Sequence, residues 1–197
     1  MSPLVDAAKW ILLLSWIVSA GVLAWNHQRV RQERKRRGIP EEKPSIRDPR
    51  SMKGLAIEGF SFLLAVVFSS FSDPPAEWQC VGSILFAVIA AGLFVWALRH
   101  LDLEWRIKAV VTEDHRLVTT GPYSVMRHPV FAALVSLLVA STLLTNPLWG
   151  MVVCLAVCLY GTEIRVKAED GLLERRFGQE YREYRSRVVR EPRAVLA

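Results

Sequence analysis

Five apolar segments constrain this chain more than any other feature. Each is slightly shorter than the ~20 residues that cross ~30 Å of hydrocarbon, so flanking residues must extend it. Because 52% of the residues are hydrophobic, a soluble domain is an unusual outcome. Helices buried in a soluble bundle are the alternative, but those should show polar faces. The sequence therefore predicts an all-α integral membrane bundle of five transmembrane helices. The segments cover residues 10–25, 54–71, 81–98, 129–144 and 148–164.

The positions of lysine and arginine predict how this bundle is oriented. Residues 29–53 contain ten basic side chains, whereas 72–80 and 145–147 contain none. Since basic loops stay on the cytoplasmic side, we expect the N-terminus outside and the tail from Arg165 inside. Residues 99–128 then also lie in the cytoplasm. The net charge is +6, and the basic residues alternate with apolar runs along the chain. This pattern favours contact with membrane lipids and argues against a nucleic-acid partner.

Proline-containing connections suggest the local pairing of helices. Pro74-Pro75 and Asn146-Pro147 mark tight external turns, so we expect antiparallel hairpins of helices two with three and four with five. The first helix ends without a small-residue cleavage site and is interpreted as a retained helix. We divide the chain into residues 1–98, with three helices and the basic loop, and 99–197, a catalytic half with two.

The three cysteines do not have the spacing of a metal site. Cys154 and Cys158 lie four residues apart in an apolar run without a histidine nearby, and Cys80 is distant. Structural zinc requires four soft or imidazole ligands at short spacings. We expect no metal.

A polar segment leads directly into the fourth apolar helix. Gly121-Pro122 favours a turn, and Pro129 suits the first turn of a helix. The unpaired N–H groups of that helix then lie beside Arg127 and His128, where a carboxylate or phosphate would be stabilised. An interfacial loop whose Arg and His contact lipid phosphates remains the alternative.

A second polar stretch follows the fifth apolar segment. Arg165 and Glu169 share a helical face, but arginine before glutamate is the less favourable order for an ion pair. Glu163 and Lys167 have the better order. We therefore interpret Arg165 and Glu169 as a functional couple, and a simple exposed ion pair between them is the alternative. Further along, apolar and aromatic residues at helical spacing predict an interfacial C-terminal helix, whose stripe indicates packing more than cofactor binding: Leu173, Phe177, Tyr181 and Tyr184.

Together these stretches resemble the isoprenylcysteine carboxyl methyltransferase family and the related phospholipid methyltransferases. The matching residues are His115-x-Leu117-Val118, Gly121-x-Tyr123, Arg127-His128-Pro129 and Arg165-x3-Glu169-Asp170-x2-Leu173-x3-Phe177-Gly178-x2-Tyr181-x2-Tyr184. The resemblance implies S-adenosyl-L-methionine as cofactor and an active site facing the cytoplasm. It places Arg165 at the carboxylate of the substrate and makes Arg165 and Glu169 the catalytic residues. The implied cofactor contacts are Lys108, His115, Arg116, Leu117, Val118, Tyr123, His128, Pro129, Val130, Phe131 and Glu169.

Lys108, Phe131 and Asp170-Gly171 depart from the family's usual residues, and the lysine puts that one contact in doubt. The chemistry of methyl transfer fits this interpretation, because positioning and exclusion of water can supply most of the rate. A carboxylate acceptor needs no general base, and the sequence shows no convincing His/Asp dyad. We predict carboxyl methylation of a lipophilic, isoprenylcysteine-like acceptor. Phospholipid N-methylation and a non-catalytic membrane scaffold stay open.

Overall fold

The computed structural model describes residues 2–38, 46–101, 110–111 and 116–188. These parts contain six α-helices and one pair of two-residue antiparallel strands in which Ile46 lies opposite Val111. The all-α prediction is confirmed, with this small strand pair as an addition. The elements are α1 Pro3–Arg36, β1 Ile46–Arg47, α2 Arg50–Phe68, α3 Glu77–Leu101, β2 Val110–Val111, α4 Pro129–Thr145, α5 Leu148–Phe177 and α6 Gln179–Arg187.

Four helices in the described ranges are long and apolar enough to cross a membrane: α1, α2 with its 3-10 extension to Phe71, α3 and α5. α4 is a shorter apolar helix of 17 residues. The outer faces of the long helices expose large apolar side chains, such as Leu14, Val88 and Val152. Contact of such surfaces with the hydrocarbon of a bilayer is favourable, whereas their contact with water is not. The chain is thus a multi-pass integral membrane protein.

The fifth helix extends well beyond its predicted apolar segment, which covers residues 148–164. α5 continues to Phe177, and Gly178, which follows it, adopts φ +53°. Glycine reaches this left-handed region at little cost, and the chain turns there into α6. The residues predicted to lie on one C-terminal interfacial helix are therefore shared between the last turns of α5 and α6.

Helix packing divides the bundle into two groups. α3 packs against α1 and α4, whereas α2 packs mainly against α5. The predicted α4–α5 hairpin is confirmed. The predicted α2–α3 hairpin is wrong as a packed unit, since these consecutive helices have at most marginal contact in the described part of the chain. The reason is that α2 packs closely against α5 instead, through a face that carries small residues.

We call this contact the α2/α5 seam. A Cβ added at Gly161 would lie 2.8 Å from the carbonyl oxygen of Gly54, so both glycines are needed for the close approach. Further along, Ala65 packs with Cys154 and Cys158, which are buried free thiols in small-residue positions. Small residues let membrane helices approach closely in this way. The seam brings two charged side chains face to face, as described below.

Candidate functional site

The segment before α4 is fixed by a glycine. Gly121 has φ +60°, and a Cβ there would lie within 2.4 Å of the His100 ring on α3. The 3-10 turn Gly121–Ser124 begins at this point and buries Tyr123. The backbone carbonyl of Tyr123 accepts a hydrogen bond of 2.7 Å from the Tyr184 hydroxyl of α6. The turn is therefore held between α3 and α6.

Asp170 on α5 accepts from three side chains, two at the start of α4 and one on α6. Its Oδ2 accepts from Arg127 Nη1 at 2.8 Å, and its Oδ1 lies 2.9 Å from His128 Nε2. The Tyr181 hydroxyl of α6 also donates to Oδ1. We call Arg127, His128, Asp170 and Tyr181 the Asp170 cluster. It ties the start of α4 to α5 and α6.

The Asp170 cluster keeps His128 protonated. Burial alone would lower the pKa of His128, but hydrogen bonds to Asp170 and Glu169 raise it to about 9. Nδ1 of the ring faces Glu169 Oε2 at 3.4 Å while Nε2 faces Asp170. Both ring nitrogens therefore act as donors near neutral pH. A protonated imidazole cannot accept a proton, so His128 is unsuited to act as a general base.

Arg165 lies in the α2/α5 seam and forms a buried ion pair with Glu58 of α2. Its Nη1 donates to Glu58 Oε2, and the Thr162 hydroxyl donates to Glu58 Oε1 at 2.8 Å. The exposed fractions of the Arg165 and Glu58 side chains are only 7% and 4%. We call these two residues the Glu58 pair.

Aromatic stacking joins the Glu58 pair to the Asp170 cluster. The guanidinium carbon of Arg165 lies 4.4 Å from the centre of the Phe131 ring. Phe131 stacks on His128 with ring centres 5.5 Å apart and planes 17° apart. The resulting order is Arg165, Phe131, His128, Glu169, with a cation at one end and a carboxylate at the other.

The structure brings together several residues that the sequence assigned to the site. Tyr123, His128, Phe131, Arg165 and Glu169 surround the first turn of α4, and the charge of Glu169 adds to burial in raising the pKa of Tyr123. Pro129 and Val130 belong to the same turn.

The other assigned residues lie further from the stack or outside the described part. Arg116 is exposed, Val118 is half-buried, and Leu117 packs against Tyr181 and Tyr184. Lys108 and His115 lie outside the described residues. All of these cofactor assignments remain predictions.

The alternative of a simple exposed ion pair between Arg165 and Glu169 is not observed, because Arg165 is buried against Glu58 and Glu169 faces His128. One expectation requires correction. The expected absence of a His/Asp dyad is wrong, since His128 and Asp170 are hydrogen bonded although 42 residues apart. The ion pair of Lys167 with Glu163 is confirmed at 3.2 Å.

Sequence reasoning missed Glu58 and did not assign Asp170 or Tyr181 to the site. It singled out Arg127 beside His128 but not its pairing with Asp170. Glu58 had a usable signal, because it is the only charged residue between positions 54 and 71. An ionisable residue inside a membrane span is costly and normally has a partner or a function. Tyr181 had no separate signal, since its aromatic stripe looks the same when it only packs.

The fold and the site define a class: a multi-pass helical membrane protein with a buried, charge-balanced site at the start of a short helix. The sequence model of the isoprenylcysteine carboxyl methyltransferase family matches residues 83–175. This segment, slightly under half of the chain, is therefore similar to that family. The match contains His128, Arg165, Glu169 and Asp170, whereas Glu58 lies outside it.

Individual relatives show a similar degree of sequence similarity. The chain is 34% identical over 103 residues to protein-S-isoprenylcysteine O-methyltransferase B of Arabidopsis thaliana, covering 52% of this chain and 48% of that protein. It is 29% identical over 131 residues to protein-S-isoprenylcysteine O-methyltransferase of Schizosaccharomyces pombe, covering 65% and 52%. An uncharacterized protein of Bacillus subtilis, YpbQ, is 27% identical over 121 residues, covering 58% and 67%. The chain thus spans about half the length of the two named methyltransferases.

Proposed function

We propose that this protein is an S-adenosyl-L-methionine-dependent methyltransferase that methylates the carboxylate of a lipophilic, isoprenylcysteine-like acceptor. The observation that carries the proposal is the series of contacts from Arg165 through the stacked rings of Phe131 and His128 to Glu169, within the family-matched segment. It presents a cation at one of the two stacked rings and a carboxylate at the other. A negatively charged acceptor and a positively charged cofactor require that polarity.

The residues at the Glu169 end fit the cofactor. The Glu169 side chain is 28% exposed and its contact with His128 is long, so its oxygens retain acceptor capacity for amine or hydroxyl donors. Arg127 Nε is buried and has no hydrogen-bond partner in the described part of the chain, which suits a carboxylate ligand. When bound, the cofactor supplies an electrophilic methyl group on a sulfonium. Tyr123 and the first turn of α4 complete this side.

The residues of the chain contribute positioning and exclusion of water. Arg165 orients the acceptor carboxylate, and the buried stack of Phe131 and His128 separates the two charged ends. A carboxylate needs no deprotonation before methyl transfer, whereas an amine acceptor does. Since His128 is protonated at neutral pH, the site favours the carboxylate over the headgroup amine of a phospholipid.

The surroundings support an acceptor that arrives from the membrane. The outer faces of the helices are apolar, so a prenyl chain can remain in the bilayer while its polar end reaches the start of α4. The basic loops favour a cytoplasmic site, with the N-terminus outside and the C-terminus inside. A prenylated cysteine and membrane lipids are the expected partners.

Two measurements test this proposal. Calorimetry should detect binding of S-adenosylhomocysteine to the purified full chain. A radiolabelled methyl assay should show transfer to N-acetyl-S-farnesylcysteine and little transfer to phosphatidylethanolamine. Transfer to the amine alone would select the phospholipid alternative, and failure to bind the nucleoside would favour a non-catalytic scaffold.

A further inference from the structure

The α2/α5 seam carries a charged residue that the family-matched segment does not include. Glu58 lies on α2, before residue 83, yet its carboxylate contacts Arg165 of α5 directly. Thr162 donates to the other oxygen of the same carboxylate, which fixes its orientation. Both oxygens of Glu58 therefore have partners.

Arg165 keeps one donor without a partner. Nη1 is bonded to Glu58, and the guanidinium faces the Phe131 ring, but Nε is buried and has no hydrogen-bond partner in the described ranges. Buried N–H groups without partners are rare in folded proteins, and a catalytic role or a bound ion or water is among the explanations for one. Glu58 thus holds Arg165 on one edge while another donor remains available.

The charge changes of the reaction give Glu58 a second role. The acceptor carboxylate oxygen would form its new bond to the methyl carbon while the carbon–sulfur bond breaks and its electron pair goes to sulfur. A negative acceptor and a positive sulfonium become a neutral ester and a neutral thioether. An uncompensated arginine would stabilise the charged acceptor more than the transition state, and stabilisation of that kind lowers turnover.

We infer that Glu58 is a positioning residue that holds Arg165 and offsets its charge, so that the acceptor carboxylate is oriented without being bound too tightly. This inference rests on the proposed function for the identity of the acceptor. It extends the site to α2. The close approach of the helices at Gly54 and Gly161 then helps to position the site residues.

The inference predicts opposite changes in affinity and turnover. In Glu58→Gln the carboxylate of the acceptor would replace the missing counter-ion, so N-acetyl-S-farnesylcysteine should bind at least about threefold more tightly. Its methyl ester, which lacks the charge, should bind as before. The kcat for methyl transfer should fall about tenfold or more, with KM unchanged or lower.

Two further variants separate positioning from simple packing. Glu58→Asp keeps the charge but shortens the reach to Nη1, so carboxylate affinity should stay near wild type while kcat falls. Asn146→Ala is the matched control, because Asn146 Nδ2 donates to the Ala65 carbonyl of α2 at 3.0 Å, far from Arg165. It should loosen α2 and leave the carboxylate preference unchanged.

Calorimetry with the carboxylate and its methyl ester decides the inference. Equal or weaker carboxylate preference in Glu58→Gln would overturn it, as would an Asn146→Ala variant that shows the same changes. Absence of any carboxylate preference in both wild type and Glu58→Gln would also overturn it. If Glu58→Gln binds the carboxylate more tightly but neither it nor the wild type transfers a methyl group, the charge compensation by Glu58 is supported and the proposed function is rejected.

Discussion

The Asp170 cluster and the Glu58 pair are both buried and charged, but they differ in how many cations share the carboxylate. In the Asp170 cluster one carboxylate receives three side-chain donors, of which Arg127 and His128 are cationic and Tyr181 is neutral. In the Glu58 pair the carboxylate faces one cation, Arg165, and its other oxygen accepts from Thr162. The arginine of each group keeps a buried Nε without a partner in the described part of the chain.

This difference determines what a substitution of each carboxylate should change. The Asp170 cluster orders the three elements that it joins, and removal of its central acceptor leaves two buried cations without compensation. Removal of the Glu58 charge leaves one cation, which the carboxylate of a bound acceptor can pair. We therefore expect the larger losses of stability in the Asp170 cluster and the larger changes in acceptor affinity and turnover at the Glu58 pair.

The largest effect is expected for Asp170→Ala. The change leaves two buried cations, Arg127 and His128, without their shared acceptor, and breaking a buried pair of this type costs about 3 to 5 kcal/mol. The thermal midpoint of the detergent-solubilised protein should fall strongly. Glu163→Ala, which breaks the surface pair with Lys167, should cost less than about 1 kcal/mol. Similar midpoints for the two variants would contradict the structural role of the Asp170 cluster.

The pH dependence of the Asp170 cluster gives the next effect. The pKa of His128 rises from 6.5 to about 9 on folding, so its stabilisation is complete below pH 6.5 and is lost as pH rises through 9. A shift of this size corresponds to about 3 kcal/mol. The stability difference between wild type and His128→Gln should therefore narrow from pH 6 to pH 10. A constant difference over that range would show that protonation of His128 contributes nothing.

A smaller effect is expected where the α2/α5 seam supports the Glu58 pair. In Gly161→Ala the new methyl group would lie 2.8 Å from the Gly54 carbonyl oxygen and 2.9 Å from the Glu58 amide nitrogen. Overpacking of this kind costs about 1 to 3 kcal/mol and should move Glu58 away from Arg165, with loss of turnover. Gly59→Ala is the control on α2, since its Cβ would meet nothing within 4 Å. Equal activity of the two variants would show that the close approach is dispensable.

The sequence predicted the apolar helices well because membrane spans have a strong local signal. The start of α4 was also predictable, since Pro129 and the polar residues before it are local features. The pairing of α2 with α5 was not, because the connection at Pro74-Pro75 suggested a local hairpin. Small residues on α2 and α5, which are far apart in sequence, determine that these two helices pack together.

The site shows the same division between local and long-range information. Arg165, Glu169 and His128 were singled out from short motifs and a family resemblance. Their partners were not, because Glu58 lies 107 residues from Arg165 and Asp170 lies 42 residues from His128. One sequence gives spacing along a helix but not which face meets another helix. The lone charge in an apolar span was the available clue to Glu58.

The smallest effect in this series is expected for Thr162→Val, which tests whether the orientation of Glu58 matters beyond its charge. The substitution removes the 2.8 Å hydrogen bond to Glu58 Oε1 but keeps the shape of the side chain and the ion pair with Arg165. The loss of stability should be about 1.5 kcal/mol, the lower end for a hydrogen bond to a charged group. If Glu58 positions Arg165, kcat should fall by a few-fold while the affinity for the carboxylate stays constant, since no charge has changed. Thr145→Val is the control, because within the described part of the chain its hydroxyl bonds to Ser141 of its own helix and to the adjacent Asn146. Steady-state kinetics with N-acetyl-S-farnesylcysteine would measure both constants. A Thr162→Val variant with wild-type kcat would mean that the charge of Glu58 matters and that its fixed orientation does not.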